Sequence, residues 1–232
     1  MKAEPVKVAV INFPGSAVDP DMLGIFRGDE GAEIVEVPSS DTSLGNFSAV
    51  ILPGGASYGD ALRPGAVAAL GPIIPAVIGF AEAGKPVVGI GNGFQVLTEI
   101  GLLPGALLKN RQNLFTCETV GMTVETDRTP ITRTLAEGGS VRLPIAHGYG
   151  NYWCDAETLA DLENGDQIVL VYNEDVNGAT GRIAGVCNKA GNVVGIMARP
   201  ERATEALLGS TDGQSFFESL ASATSASGEE ER

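Results

Sequence analysis

The sequence predicts an α/β fold: a mixed, mostly parallel sheet flanked by helices, with a smaller section of antiparallel strands. In the first half, short apolar runs rich in β-branched residues alternate with helical segments. Glycines directly follow several of these runs, as is typical of parallel strands that end in ligand-binding loops. The second half changes to short strands separated by tight turns. These observations together indicate one α/β domain over residues 1–220.

The elements of the first half alternate along the chain. Strands are predicted at residues 6–13, 32–37, 49–52 and 86–90, and helices at residues 19–27, 66–83 and 94–100. Asp19 is the candidate N-cap of the first helix, because Pro20 suits the first helical position. Pro72 and Pro75 must interrupt or kink the second helix, since proline lacks the backbone N–H that a helix interior needs.

The second half is richer in strands. They are predicted at residues 119–125, 141–145, 168–172, 183–188 and 193–197. A hairpin turn at residues 188–192 joins the last two strands. Helices are predicted at residues 201–208 and 213–220. The acidic tail, residues 221–232, consists of small and polar residues, and we therefore expect it to be disordered.

Composition excludes several classes of protein. The formal net charge is −14 and no basic patch is visible, so a nucleic-acid partner is not expected. No segment approaches the run of about 18 apolar residues that would span a membrane. The three cysteines, Cys117, Cys154 and Cys187, lack paired spacing, which favours small buried hydrophobes over disulfides or a metal site. We expect a cytoplasmic protein without a metal or cofactor.

Three loops follow predicted parallel strands, at residues 13–16, 52–57 and 90–94. The last of them, Gly91-Asn92-Gly93, lies between a strand and a helix, which is the shape of a nucleophile elbow. An elbow holds one side chain at the positive end of a helix, where a thiolate is favoured. Gly91 stands at the tip and supplies no nucleophile. The same glycines would also suit a simple tight connection, so the turn alone leaves the function open.

Longer blocks of sequence carry a family resemblance. GIGNGFQVLTEIGLLPGALLKN, residues 89–110, resembles the elbow of class I glutamine amidotransferases. Specifically, it is similar to the PurQ-like glutaminase subunit of phosphoribosylformylglycinamidine synthase. Further blocks match in order: FPGS (13–16), LPGGASYGD (52–60), PIAHGYGNYWCDAETLADL (144–162), VNGATGRIAGVCNKAGNVVGIM (176–197) and PERATEALLGSTDG (200–213). The resemblance covers residues 6–220 and implies the flavodoxin-like fold of that family.

The resemblance also implies a catalytic triad, and two of its three positions are changed. The nucleophilic cysteine of the family falls on Gly91 and its catalytic histidine falls on Arg199, while Glu201 keeps the third position. Backbone N–H groups of Gly55 and Asn92 are expected to form the oxyanion hole. The pocket is expected at Gly54, Ser57, Gln95, His147, Gly148 and Tyr149.

Arg199 leaves two interpretations open, because it can pair with Glu201 or bind an anion such as a carboxylate or a phosphate. It cannot replace the catalytic histidine as a base, since arginine stays protonated near neutral pH. His147, the only histidine, is placed by the resemblance near the pocket and outside the triad. Ala17, Ala56 and Tyr149 stand where the family usually has Asn, Phe and Glu.

The sequence therefore predicts that glutaminase activity by the thioester route is absent, and it leaves three functions open. The first is a non-hydrolysing subunit of a formylglycinamidine-synthase-type enzyme in purine or purine-like biosynthesis. Its implied partners are a small accessory subunit and a large ATP-dependent synthetase. The second is a repurposed enzyme or binding protein that takes glutamine or another small molecule in the old pocket. The third is a working glutaminase that uses another nucleophile.

Overall fold

The computed structural model describes residues 6–18, 20–25 and 32–227. The strands are β1 Val6–Asn12, β2 Ala32–Pro38, β3 Ala49–Leu52, β4 Val87–Ile90, β5 Ala106–Leu108, β6 Thr116–Val124, β7 Ser140–His147, β8 Asn151–Trp153, β9 Ile168–Tyr172, β10 Ile183–Cys187 and β11 Val193–Ile196. The α-helices are α1 Pro20–Gly24, α2 Ile74–Glu82, α3 Asn92–Glu99, α4 Ala156–Asn164 and α5 Gln214–Ser227. Short 3-10 turns lie between several of these elements.

The main sheet has nine strands in the order β2-β1-β3-β4-β11-β10-β9-β6-β7. Pairing is parallel from β2 through to β11 and antiparallel from β11 through to β7. All strands of this sheet except β10 and β6 therefore point the same way. β5 and β8 form a separate antiparallel pair. The predicted fold class, a mixed and mostly parallel sheet with a smaller antiparallel section, is confirmed.

Alternate residues of the central strands face two separate hydrophobic clusters, because side chains of a strand point to opposite faces of its sheet. Val8 and Val10 of β1 belong to one cluster, together with Phe216 of α5. Ala9 of β1 belongs to the other, together with Phe94 of α3. The central strands are thus buried on both faces, which explains their nearly continuous apolar sequences.

The helical segment predicted at residues 66–83 is divided as its prolines require. A 3-10 turn at Ala68–Leu70 precedes α2, which begins at Ile74 with Pro75 in its first turn. The predicted hairpin turn at residues 188–192 is also present, since β10 and β11 pair antiparallel and the Gly191 N–H donates to the Asn188 carbonyl over 3.0 Å. Asp19, the predicted N-cap of the first helix, lies outside the described residues.

The prediction of a helix at residues 201–208 is wrong. Two 3-10 turns, Pro200–Arg202 and Ala206–Leu208, occupy this segment. The N–H groups of Arg202 and Ala203 donate to carbonyls three residues earlier, and the Ala203 carbonyl accepts from the distant Gly213 N–H. Helix-forming composition is overridden here because the first turn must hold the fully buried Glu201 against the sheet.

The expected disorder of residues 221–232 is wrong for residues 221–227, which form the last turns of α5. Ala223 and Thr224 are buried and continue the helical spacing of Phe216 and Leu220. The Thr224 hydroxyl donates to the Leu220 carbonyl over 3.0 Å. Small residues resemble a polar tail in composition, although at this spacing they suit a helix face that packs closely on the core. Residues 228–232 lie outside the described part of the chain.

One further prediction needs correction, and three elements were missed. Cys117 is exposed, unlike Cys154 and Cys187. It lies in the part of β6 that pairs only with the edge strand β7, because β9 pairs with residues 122–124. Helix α4 was not predicted, although Asp155 caps it by accepting a 2.8 Å hydrogen bond from the Thr158 N–H. β5 and β8 were also missed, as each has only three residues.

Candidate functional site

The loops that follow β1, β3 and β4 meet at the carboxyl edge of the sheet, as the sequence predicts. The Ala56 N–H donates to the Gly15 carbonyl over 2.9 Å, and the Ala17 N–H donates to the Gly54 carbonyl over 2.8 Å. The Ser57 N–H donates to the Asn92 Oδ1 over 3.1 Å, which ties the β3 loop to the beginning of α3. These bonds fix three loops of distant sequence against one another.

The turn between β4 and α3 has the geometry of a nucleophile elbow. Gly91 has φ +53° and ψ −106°, a backbone conformation that side-chain-bearing residues rarely adopt. The Gly91 N–H donates to the Ile196 carbonyl over 2.7 Å, so the tip is held by β11. The strand, the sharp turn and the helix are therefore all present, whereas the side chain that an elbow would present is missing.

Arg199 covers the elbow tip. Its Cδ would lie 3.5 Å from a Cβ built on Gly91, and its Cζ would lie 2.5 Å from a Cβ built on Gly54. The guanidinium thus lies against the bare backbone of Gly54, where any side chain would collide with it. Arg199 lies three residues after the end of β11, and its N–H donates to the Pro144 carbonyl over 2.8 Å, which holds it beside β7.

Arg199 and Glu201 form a buried ion pair, which is the simpler of the two interpretations of the sequence. The Arg199 Nε donates to the Glu201 Oε1, and their side chains are 5% and 0% exposed. Burial raises the pKa of Glu201 above its ordinary value, although the charge and the hydrogen bond of Arg199 oppose that rise. The Arg199 Nη2 and the Glu201 Oε2 have no hydrogen-bond partner among the described residues.

Two backbone N–H groups beside the tip are available as donors. Gly55 lies opposite Ser16 in an isolated antiparallel bridge. The hydrogen bonds of this bridge are made by the residues on either side of Ser16 and Gly55. The N–H of Gly55 itself therefore donates to no described residue. Asn92 is the first residue of α3, and its N–H therefore has no partner within the helix. These are the two donors that the resemblance implies for an oxyanion hole.

A pocket of about 310 Å³ opens at this edge. Most of the predicted site residues line it: Gly55, Gly91, Asn92, Gln95, His147, Gly148, Tyr149 and Arg199. Gly54, Ser57 and Glu201 do not line it, and Ser57 and Glu201 lie buried behind it. The lining residues that sequence reasoning missed include Asp60, Phe115 and Arg202. Asp60 and Arg202 belong to the matching blocks and could have been found, whereas Phe115 carries no sequence signal.

A network of amides positions the floor of the pocket. The buried Asn92 Nδ2 donates to the Gln95 Oε1 over 2.8 Å, and the Gln95 Nε2 donates to the Tyr149 carbonyl over 2.7 Å. The loop after β7 is thereby fixed to α3. Burial raises the pKa of Asp60, whose Oδ1 lies 3.5 Å from the Asn92 Nδ2.

His147 lies at the end of β7 and lines the pocket. Its Nδ1 lies 3.1 Å from the Oδ1 of the buried Asn110, and the ring packs on Gly150, where a Cβ would come within 2.2 Å of it. Burial lowers the pKa of His147 to about 4. The imidazole is therefore neutral at pH 7. In the described part of the chain, no group of three or more His, Cys, Asp or Glu side chains could hold a metal ion.

The fold and the elbow define a glutamine amidotransferase domain. The chain belongs to the CobB/CobQ-like glutamine amidotransferase domain family, whose model matches residues 5–218. A chain of PurLQS from Thermotoga maritima is 44% identical, with a TM-score of 0.86, over 94% of this chain and 98% of that one. The predicted resemblance to a PurQ-like glutamine amidotransferase is thereby confirmed.

More distant structures share the fold. A protein from Thermoplasma acidophilum described as a putative GMP synthase component is 14% identical with a TM-score of 0.66, over 99% of this chain and 98% of that one. A glutamine amidotransferase from Thermotoga maritima is 17% identical with a TM-score of 0.57, over 86% of this chain and 77% of that one. No helix in the described ranges is both long and apolar enough to cross a bilayer.

Proposed function

We propose that this chain is a glutaminase-like subunit that does not hydrolyse glutamine and that supports a large ATP-dependent synthetase of the formylglycinamidine-synthase type. The observation that carries the proposal is the position of Arg199. Its side chain lies over the bare elbow tip at Gly91 and pairs with Glu201. The space for a reactive thiol and its base is thus held by a permanently charged group that can do the work of neither.

No other side chain of the site replaces the missing nucleophile. The Ser57 hydroxyl is buried and does not line the pocket. Cys187 ends β10, which runs opposite to β4, so its thiol lies towards the other edge of the sheet. Burial raises the pKa of Cys187 to about 11 and that of Cys154 above its usual value, which keeps both thiols protonated.

The proposed partner rests on the similarity to PurLQS. A small accessory subunit and a large ATP-dependent synthetase would complete the assembly, in purine or purine-like biosynthesis. The synthetase would then use free ammonia or another nitrogen donor. The preserved elbow and loop framework supports a retained structural role, because the backbone around the tip keeps its shape without the catalytic side chains. Affinity purification from the source cell tests this, and recovery of no synthetase-like protein would contradict it.

Release of glutamate from glutamine is the direct test of the catalytic proposal. We expect no release above the protein-free rate from the natural chain. The double variant Gly91→Cys/Arg199→His should gain measurable release, because Glu201 and the two backbone donors remain in place. Arg63→Ala is a matched arginine control that should stay inactive, since Arg63 pairs with Glu99 at the surface. Glutamate release by the natural chain at enzymatic rates would overturn the proposal.

A second candidate function, a repurposed small-molecule binding protein, is favoured by one observation. The residues His147 and Arg199 line the pocket, and each has one buried polar atom without a hydrogen-bond partner among the described residues. A thermal-shift screen with amino acids and nucleotides addresses it. A ligand that raises the melting temperature of the natural chain but not of an Arg199 variant would support this function. If no compound changes the melting temperature, the function is contradicted.

A further inference from the structure

A second pocket opens beside the ends of β1 and β2, separate from the pocket at the elbow. Its volume is about 440 Å³, and it is lined by Asn12, Pro14, Pro38, Ser39, Ser40, Tyr58 and Pro72. The two pockets share no lining residue. Asn12 and Pro38 are the last residues of their strands and lie side by side in the parallel sheet. The second pocket therefore lies at the carboxyl edge of the sheet, where proteins of this fold class bind ligands.

The lining of the second pocket favours a neutral ligand, because it contains no acidic and no basic side chain. Three of its residues are prolines, which have no N–H group to donate. The Ser39 N–H already donates to the Asn12 carbonyl over 3.0 Å, and the Tyr58 N–H donates to the Pro14 carbonyl over 2.6 Å. These groups are therefore not available to hold an anion. The net charge of −14 disfavours an anion further.

Ser39 offers the second pocket a hydroxyl that the protein leaves unused. The residue is 7% exposed, and its hydroxyl has no hydrogen-bond partner among the described residues. This hydroxyl is not one of the unpaired side-chain atoms that are sealed from solvent, so it keeps some contact with solvent. Since Ser39 lines the second pocket, that contact lies there. A hydroxyl can donate as well as accept a hydrogen bond, so it suits a ligand with either kind of group.

Asn12 offers the second pocket an acceptor. Its Nδ2 donates to the Glu36 Oε1 over 2.6 Å, and a carboxylate oxygen can only accept. This bond fixes which end of the amide is the nitrogen. The Oδ1 accepts from no residue in the described part of the chain, and Asn12 is partly exposed. A ligand that meets both Asn12 and Ser39 therefore needs a donor and an acceptor close together.

The backbone of Tyr58 is strained in a way that places its ring at the second pocket. Tyr58 has φ +53° and ψ +29°, and Gly59 and Asp60 also have positive φ. This left-handed conformation is unfavourable for a residue with a bulky side chain, and such strain is concentrated at functional sites. The Tyr58 ring lies 6.4 Å from the Phe13 ring, centroid to centroid, which helps to hold it in place. The strained turn lies between the pockets, since Asp60 lines the pocket at the elbow.

We propose that the second pocket binds a small neutral compound that has a flat aromatic ring and an amide-like edge. The ring packs on Tyr58, and the edge pairs with the Ser39 hydroxyl and the Asn12 Oδ1. A flat ring suits an aromatic side chain surrounded by apolar proline rings. An amide supplies the donor and the acceptor together. This site goes beyond the proposed function and does not depend on it, because it shares no residue with the elbow.

Three matched probes separate the ring from the amide when titrated into the full chain. Benzamide has both features, cyclohexanecarboxamide lacks the flat ring, and benzoate replaces the amide with a charged carboxylate. We expect benzamide to bind with a dissociation constant of about 1–10 mM. The other two should bind about fivefold more weakly or worse, for want of the aromatic contact and of a cation, respectively. Failure of benzamide to saturate, or equal affinity for the three probes, overturns the proposal.

The four tyrosines of the chain show where benzamide binds. Selective labelling with ¹⁵N-tyrosine gives four backbone resonances, and the variants Tyr58→Gly and Tyr149→Phe identify two of them. Tyr58 lines the second pocket and Tyr149 lines the pocket at the elbow. We expect the Tyr58 resonance to shift until saturation while the Tyr149 resonance stays in place. A shift of Tyr149 without a shift of Tyr58 would place the probe at the elbow and contradict the assigned site.

Two variants test the assigned contacts. Ser39→Ala removes a hydroxyl that no described residue uses, so it should leave the melting temperature unchanged and weaken benzamide binding by about fivefold. Tyr58→Gly removes the ring and suits the left-handed backbone, and it should weaken binding by about tenfold. Ser222→Ala, at an exposed position of α5, is the matched serine control. If Ser39→Ala or Tyr58→Gly binds benzamide as tightly as Ser222→Ala does, the corresponding contact is wrong.

Discussion

Gly89, Gly91 and Gly93 alternate along the elbow, and the physical reason for glycine at the tip differs from the reason on either side of it. A Cβ on Gly89 would lie 2.6 Å from the Leu97 Cδ1, and one on Gly93 would lie 1.9 Å from the Leu52 carbonyl oxygen. A Cβ on Gly91 would meet nothing closer than 3.5 Å. Packing therefore requires glycine on both sides of the tip, whereas at the tip only the backbone conformation favours it.

This difference predicts different costs of adding one methyl group. Gly91→Ala should lower the free energy of unfolding by about 1–2 kcal/mol, through backbone strain alone. Gly93→Ala should lower it by about 3 kcal/mol or more, because the Leu52 carbonyl cannot yield without moving β3. Urea denaturation of both variants measures the costs. Equal losses would mean that the tip is as crowded as its neighbour.

His147 makes a separate prediction about pH. Its pKa in the folded chain is about 4, below the ordinary value of 6.5, so the unfolded chain binds more protons between these values. The stability that depends on neutral His147 is present above pH 6.5 and is lost as pH falls towards 4. The loss can reach about 3 kcal/mol. The difference in unfolding free energy between the natural chain and His147→Gln, measured across this pH range, gives the contribution of His147. If the two pH profiles run parallel, His147 makes no such contribution.

At the scale of elements, sequence reasoning succeeded where local chemistry decides the structure. The glycines after β3 and β4 and the prolines around the start of α2 act on their own backbone, so their effects could be predicted. The prediction of a helix at residues 201–208 failed because packing against the sheet buries Glu201, and no local sequence pattern reveals that packing. The contact between His147 and Asn110 was equally out of reach, since the two residues are 37 positions apart in the chain.

The sequence predicts that the last helix ends at residue 220, whereas α5 continues to Ser227. The packing of these additional turns can be tested. Ala223 is buried, whereas Ser222 is exposed on the same turn. Ala223→Asp should lower the free energy of unfolding by about 2–4 kcal/mol, because it buries an unpaired charge. Ser222→Asp adds the same charge in solvent and should cost less than about 0.5 kcal/mol. Similar small effects of both variants would indicate that this turn does not pack on the core.

At the scale of the whole molecule, the net charge of −14 opposes compaction through self-repulsion. Raising NaCl from about 10 mM to about 150 mM shortens the screening length from about 30 Å to about 8 Å. The melting temperature should therefore rise with NaCl over this range. Scanning calorimetry in NaCl, with sucrose of matched osmolality as the control, measures this. A melting temperature that falls with salt would mean that attractive ion pairs outweigh the repulsion.

The bare backbone of Gly54 has a consequence for a residue that it does not touch. A methyl group there would collide with the guanidinium of Arg199 and push it away from the elbow. Glu201 would then lose the neighbouring charge that lowers its pKa, while the burial that raises its pKa would remain. The pKa of the carboxyl group would therefore rise further above its ordinary value. The absence of a side chain at Gly54, in the loop after β3, thus keeps the charge of Arg199 beside the carboxyl group of Glu201.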